Sequence, residues 1–210
     1  IVTYHSDIVR QKKLHKLYHI LEQMFLNKID KIISTSPNYK IKSKNLKKQS
    51  KKVLNINIGI TREDYPPLSE KNIEHWKQKV GTKYMLFVGA LRYYKGLELL
   101  VKSLGGTHHK IVIAGVGPQE KKLKRLIVKN DYKNIYLVGK VSEVDKVSLI
   151  HDSYGIVFPS TLRSEAFGIT LLEGALFEKP LISSELGTGT SFINIHKETG
   201  LVIKPNNQKE

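Results

Sequence analysis

Two hydrophobic patterns alternate along the C-terminal two thirds of the chain. Short, continuously apolar runs at Met85–Val88, Lys110–Ala114, Ile135–Val138, Gly155–Phe158, Pro180–Ser183 and Leu201–Ile203 predict strands. Between the first five, apolar residues recur at helical spacing over Leu97–Leu104, Gln119–Lys129, Val144–Ile150 and Gly168–Phe177. The last gap, from Glu185 to Glu198, is less regular. Strands that are apolar on both faces and separated by helices predict a parallel sheet covered on both sides.

The N-terminal part has the same grammar in a shorter form. Val2-Thr3-Tyr4 reads as a strand end. From Ile8 to Ile29 the residues Leu14, Leu17, Tyr18, Leu21, Met24, Phe25 and Ile29 mark one face of a helix, with Asp7 placed to cap it and the stripe expected to face the core. Lys31–Thr35 is a second strand, Ser36-Pro37 opens another helix, and Val53–Ile58 is a third strand that Gly59 ends. Arg62–Leu68, with Pro66-Pro67, reads as connection. The expected division is residues 1–60 as the end of one βα domain, 61–76 as linker, and 77–210 as a Rossmann-like domain.

Composition narrows the classes. At 210 residues the chain holds one large or two small domains with ample core. It has no cysteine, so neither disulfides nor thiolate-bound metals hold it together, in keeping with a reducing, cytoplasmic compartment. No apolar run reaches the length of a membrane span, and no signal peptide is visible. The first residue is not Met, and Asn206 to Glu210 follow the last strand with no closing element. The chain therefore reads as an internal piece of a longer protein.

Charge changes the picture at one end. Residues 1–60 carry thirteen Lys/Arg against three Asp/Glu, a net +10 of the chain's +16. Arg10, Lys12, Lys13 and Lys16 form one cluster, and Lys40, Lys42, Lys44, Lys47, Lys48, Lys51 and Lys52 another. A solvated face is one reading. A peripheral position on an anionic membrane surface, such as the inner face of the plasma membrane, is a second, each basic residue there gaining about 1 kcal/mol. Nucleic acid is disfavoured as a partner, because no aromatic-interleaved or zinc-finger pattern accompanies the lysines.

The candidate chemistry lies between Val157 and Ala175. An apolar strand ends at Pro159-Ser160, a polar loop carries Glu165, and Phe167-Gly168 opens an apolar helix that carries Glu173. Two carboxylates thus stand at the mouth between a strand's carboxyl end and a helix N-terminus, where open α/β sheets bind ligands. Such a mouth favours anions, so carboxylates there suit the hydroxyls of a ribose or sugar. A second mouth follows Met85–Val88, where Lys95-Gly96 opens a helix; an amine beside free N–H groups suits a diphosphate. Ala114-Gly115-Val116-Gly117-Pro118 suggests a dinucleotide turn, but Glu120 stands where the third glycine belongs, which makes a nicotinamide-dependent dehydrogenase a poor match.

The Glu165 to Glu173 stretch resembles the Glu-x7-Glu motif of retaining glycosyltransferase family 4, enzymes that use sugar nucleotides and have the GT-B fold. The resemblance implies an α/β protein of GT-B type: a complete Rossmann-like C-terminal nucleotide-sugar domain plus the tail of an N-terminal, acceptor-side Rossmann-like domain. It assigns Glu165 to the transferred sugar, Glu173 to the ribose, and Phe167 and Gly168 to the donor-binding interior of the motif. Lys95 takes the place of the diphosphate-binding lysine. The commoner pattern has arginine where this chain has Ala90, and Arg92 is the candidate substitute. Gly115 and the backbone of Gly139, Lys140 and Val141 would frame the nucleotide pocket. Gly187, in Gly-Thr-Gly-Thr-Ser, would let backbone approach the donor, and His5 resembles a histidine at the interdomain cleft.

The resemblance implies a UDP- or GDP-linked sugar as donor, a glycan or lipid-linked acceptor, retention at the anomeric carbon, and no cofactor. With no Asp-x-Asp in the chain, no metal is expected on the diphosphate. A GT-B sugar-nucleotide epimerase and an inactive nucleotide-binding fragment are the alternatives.

Overall fold

A computed structural model describes residues 1–7 and 12–207, with the backbone alone for 12–17. Among these residues the strands form two parallel sheets. The smaller joins β1 (Val2–Tyr4), β2 (Ile32–Ser34) and β3 (Val53–Asn55) in that order. The larger comprises β4 (Met85–Val88), β5 (Ile111–Ala114), β6 (Ile135–Gly139), β7 (Gly155–Phe158), β8 (Leu181–Ser184) and β9 (Gly200–Ile203). Its order is β6-β5-β4-β7-β8-β9, with every neighbour parallel. β5 and β7 are fully buried, as continuously apolar strands must be when helices cover both faces.

The helices of the larger unit are α4 (Glu70–Val80), α5 (Leu97–Leu104), α6 (Glu120–Lys129), α7 (Glu143–Asp152), α8 (Ile169–Leu176) and the short α9 (Thr190–Ile193); α1 (Lys12–Lys28), α2 (Pro37–Lys42) and α3 (Lys44–Lys48) belong to the smaller one. Boundaries fall close to those expected from periodicity. One difference lies at α4. Residues 70–76, expected in a linker, are helical from the Ser69 cap onward, and Trp76 and Val80 enter the main core. Trp76 Nε1 and Asn72 Nδ2 both donate to Asp145 Oδ1, at 2.9 and 2.8 Å. Asp145 also closes the capping box of α7 with Ser142. Burial opposes its charge, but the Ser142, Trp76 and Asn72 hydrogen bonds outweigh that and pull its pKa below the ordinary carboxylate value.

The N-terminal segment departs further from expectation. β3 stops at Asn55 because it pairs with β2 over only three residues, Ile32 with Val53 to Ser34 with Asn55. Residues 8–11 and the side chains of Leu14, Leu17, Lys12, Lys13 and Lys16 lie outside the described residues, Arg10 with them. Among the described residues most of the apolar stripe of α1 does not face the core: Tyr18, Leu21, Met24 and Phe25 are more than half exposed, whereas Leu26 is buried and Ile29 packs on the smaller core. A helix of 17 residues is roughly 25 Å long, whereas three-residue strands present about 10 Å of sheet to it. Asp7 uses its carboxylate on Ser43 (2.6 Å), Tyr4 (3.2 Å) and Arg163 (3.2 Å); the backbone groups it was expected to cap lie outside the described residues.

Candidate active site

Counted in chain order, the larger sheet runs third-second-first-fourth-fifth-sixth. The chain leaves β4 towards β5 on one side and returns to β7 on the other. The loops after β4 and β7 therefore diverge and leave a crevice between them, the topological switch point of an open α/β sheet.

Both loops bring a charge to that crevice. The loop after β4 ends in a tight 3₁₀ turn, Tyr93–Lys95, and the loop after β7 runs from Pro159 to Gly168. Thr161 N–H donates to the Tyr94 carbonyl at 2.7 Å and ties the two loops together. Lys95 Nζ lies 2.5 Å from Glu165 Oε2, with both side chains 11% exposed. The buried Ser160 hydroxyl donates to the same oxygen at 3.0 Å, and the ammonium sits 4.3 Å over the Phe158 ring. Charges so largely shielded from water persist when paired and hydrogen-bonded, and these are.

Glu173 lies on α8, which starts after Gly168 (φ 96°) and is tied to β4 by Thr170 Oγ1 donating to the Val88 carbonyl at 3.1 Å. Gly174 sets the depth: a Cβ there would lie 2.6 Å from Ile156 Cγ1, so α8 sinks onto β7 and takes Glu173 to 5% exposure. Its Oε1 accepts from Lys146 Nζ at 2.6 Å and from Tyr65 OH at 3.1 Å. Burial alone would lower the Lys146 pKa; the Glu143 and Glu173 carboxylates outweigh it and hold the pKa above the ordinary lysine value. Burial and then the Glu173 charge push the Tyr65 phenol up, so it stays a donor.

The remaining predicted residues fall around this centre. Phe167 is buried behind the loop. Gly115 follows β5 and donates its N–H to the Gly139 carbonyl at 2.7 Å, while Lys140 is exposed and Val141 half-buried beyond the edge strand β6. Gly187 is held from behind, because Arg163 Nη1 donates to the carbonyls of Leu186 (2.9 Å) and Gly187 (2.8 Å). Arg163 Nη2 reaches Asp7, and His5, two residues earlier in the chain, is exposed. Arg92 is not drawn into the Lys95–Glu165 pair. It is exposed and lines an open depression of about 350 Å³ with Tyr93, Gln119, Lys122 and Thr161.

Three polar residues of this site were not among the expected ones. Arg163 sits two positions before Glu165, a nearness in sequence that would have marked it. Lys146 reads as a surface cation in α7, and Tyr65 as part of a connection; neither carries a signal that points to Glu173. Among the described residues no group of three or more His, Asp or Glu side chains could hold a metal ion, and no helix is long and apolar enough to cross a membrane.

Parallel sheets with a charged crevice at the switch point define a ligand-binding α/β protein, and likeness to solved structures gives the GT-B type. Anabaena HepE, solved with UDP and glucose, matches 100% of this chain and 59% of its own, with a TM-score of 0.81 at 17% identity. Sucrose-phosphate synthase from Thermosynechococcus elongatus matches 99% of this chain and 55% of its own at TM-score 0.80 and 21% identity. The chain belongs to the family described as glycosyl transferases group 1, whose profile matches residues 69–210. It is 49% identical over 205 residues to D-rhamnosyltransferase WbpZ of Pseudomonas aeruginosa and 47% identical over 209 to O-antigen chain mannosyltransferase C of Escherichia coli. Those matches cover 98% and 100% of this chain but 54% and 56% of the relatives, so the chain spans about half their length.

Proposed function

We propose that this chain carries the donor site of a retaining glycosyltransferase of family 4, which moves a sugar from a nucleoside-diphosphate sugar to a glycan or lipid-linked acceptor of O-antigen type. The observation that carries the reading is the Lys95–Glu165 pair buried at the switch point. In the proposed complex the diphosphate draws on Lys95, and Glu165 turns to the donor sugar. Glu173 receives the ribose hydroxyls, and the nucleotide extends past Gly115 towards Gly139. As the anomeric bond breaks, charge grows on the leaving phosphate and on the oxocarbenium-like sugar. Once the donor is bound, a cation and a carboxylate already aimed at those charges stabilise both as they develop. Lys95 supplies the charge that a divalent metal supplies where an Asp-x-Asp motif is present. Support for a nucleotide-sugar donor comes from the named activities of the relatives and from UDP in Anabaena HepE.

The test is calorimetric titration of the chain with UDP and with GDP. One of the two should bind, and Glu173→Ala should weaken it by about 1.5–3 kcal/mol, the range for hydrogen bonds to a charged group. Unchanged affinity in the variant would remove Glu173 from the ribose site.

We propose that the protein associates with the cytoplasmic face of an anionic membrane. Lys42, Lys44, Lys47, Lys48 and Lys51 are exposed, whereas Lys40 and Lys52 turn inward to the carbonyls of Val53 and Asn27. The exposed Tyr18, Leu21, Met24 and Phe25 of α1 add an apolar component. Co-sedimentation should show stronger binding to anionic than to neutral vesicles, falling with added salt. Equal binding to both, or to neither, would return these lysines to a solvated face.

A further inference from the structure

The two oxygens of the Glu173 carboxylate are treated differently. Among the described residues its hydrogen-bond partners, Lys146 Nζ at 2.6 Å and Tyr65 OH at 3.1 Å, both fall on Oε1. Lys146 is itself fixed from the other side by Glu143 Oε2, also at 2.6 Å, and lies 5.1 Å over the Tyr65 ring. Tyr65 is anchored edge-on against Phe177 of the turn after α8, at 5.9 Å and 86°. Packing alone would favour an apolar side chain at position 146, since its neighbours Val147, Leu149 and Ile150 are all core. The chain places there a lysine only 12% exposed, directed at the carboxylate.

We infer that Lys146 and Tyr65 are positioning residues for the nucleotide: by holding Oε1 of Glu173 they make Oε2 the oxygen that receives a ribose hydroxyl. The inference rests on the reading of Glu173 as the ribose acceptor. A carboxylate with one oxygen fixed has its rotamer set before the ligand arrives, so little conformational freedom is lost on binding. The Lys146 ammonium lies against the carboxylate at 2.6 Å, and hydrogen bonds to a carboxylate are the stronger ones. Because Tyr65 lies in the segment between the two sheets, the same contact ties that segment to the occupied site.

The measurement is the ratio of affinities for the nucleotide that binds, UDP or GDP, and its 2′-deoxy and 3′-deoxy counterparts. The wild-type chain should prefer the ribonucleotide by about tenfold or more over at least one of them, the effect of one hydrogen bond to a charged acceptor. In Lys146→Met that preference should fall to about twofold, with affinity for the deoxy form nearly unchanged. Tyr65→Phe, which removes one oxygen and keeps the ring on Phe177, should lower it about threefold. Equal weakening of ribo and deoxy forms in Lys146→Met would show a merely structural role and overturn the inference, as would an unchanged ratio. If Lys146→Met does not fold, Tyr65→Phe decides, and an unchanged ratio there overturns it. If Glu173→Ala itself keeps the wild-type preference, the failure lies instead in the ribose reading.

Discussion

Lys95→Ala should reduce sugar transfer by the full-length enzyme about 10²–10³-fold, the cost of removing one prepositioned charge from a developing anion. It should also destabilise the chain by about 3–5 kcal/mol, because Glu165 would stay buried with its carboxylate unpaired. The two effects separate in a double variant. Lys95→Ala combined with Glu165→Gln removes the orphaned charge and should recover most of the stability while transfer stays lost. Urea midpoints and initial rates with the cognate sugar nucleotide make the comparison. If Lys95 supplies the counter-charge, wild-type transfer persists in excess EDTA. Loss on chelation with recovery on Mg²⁺ or Mn²⁺, or wild-type rates in Lys95→Ala, would refute this role.

Gly96→Ala should cost about as much stability and abolish nucleotide binding, although it adds one methyl group. Gly96 has φ 69°, where a side chain costs roughly 1–2 kcal/mol, and its Cβ would lie 2.0 Å from the Pro159 carbonyl oxygen. That oxygen belongs to the backbone of the loop after β7, so relief requires the loops carrying Lys95 and Glu165 to part. We expect a loss of about 3–5 kcal/mol, in the range reserved for changes with a specific steric cause. Thermal unfolding and calorimetry with UDP and GDP measure both effects. A variant with native stability and affinity would show that the close approach of these loops is dispensable.

The fold was legible where periodicity and turn chemistry agree. The six short apolar runs of the larger sheet, bounded by turn residues and separated by helical periods, read as parallel strands, and local pattern placed Lys95, Glu165 and Glu173 in or after the loops at their carboxyl ends. Residues 70–76 were less legible. The prolines before them signal a connection, and only the docking of Trp76 against Asp145 shows that a helix is anchored there.

The sequence by itself determined the strand-helix alternation, the class of sheet, and the residues at its carboxyl edge, because these follow from side-chain period and from glycine and proline at turns. The tertiary structure decided what each charge meets. Lys95 and Glu165 are 70 positions apart and neutralise each other, Lys146 turns inward to Glu173, and Asp7 pairs with Arg163, 156 positions away. Most of the stripe on α1, expected inside, is exposed among the described residues. Helical spacing fixes which residues share a face, whereas what covers that face, and which ion a buried charge finds, depends on segments brought near only when the sheets assemble.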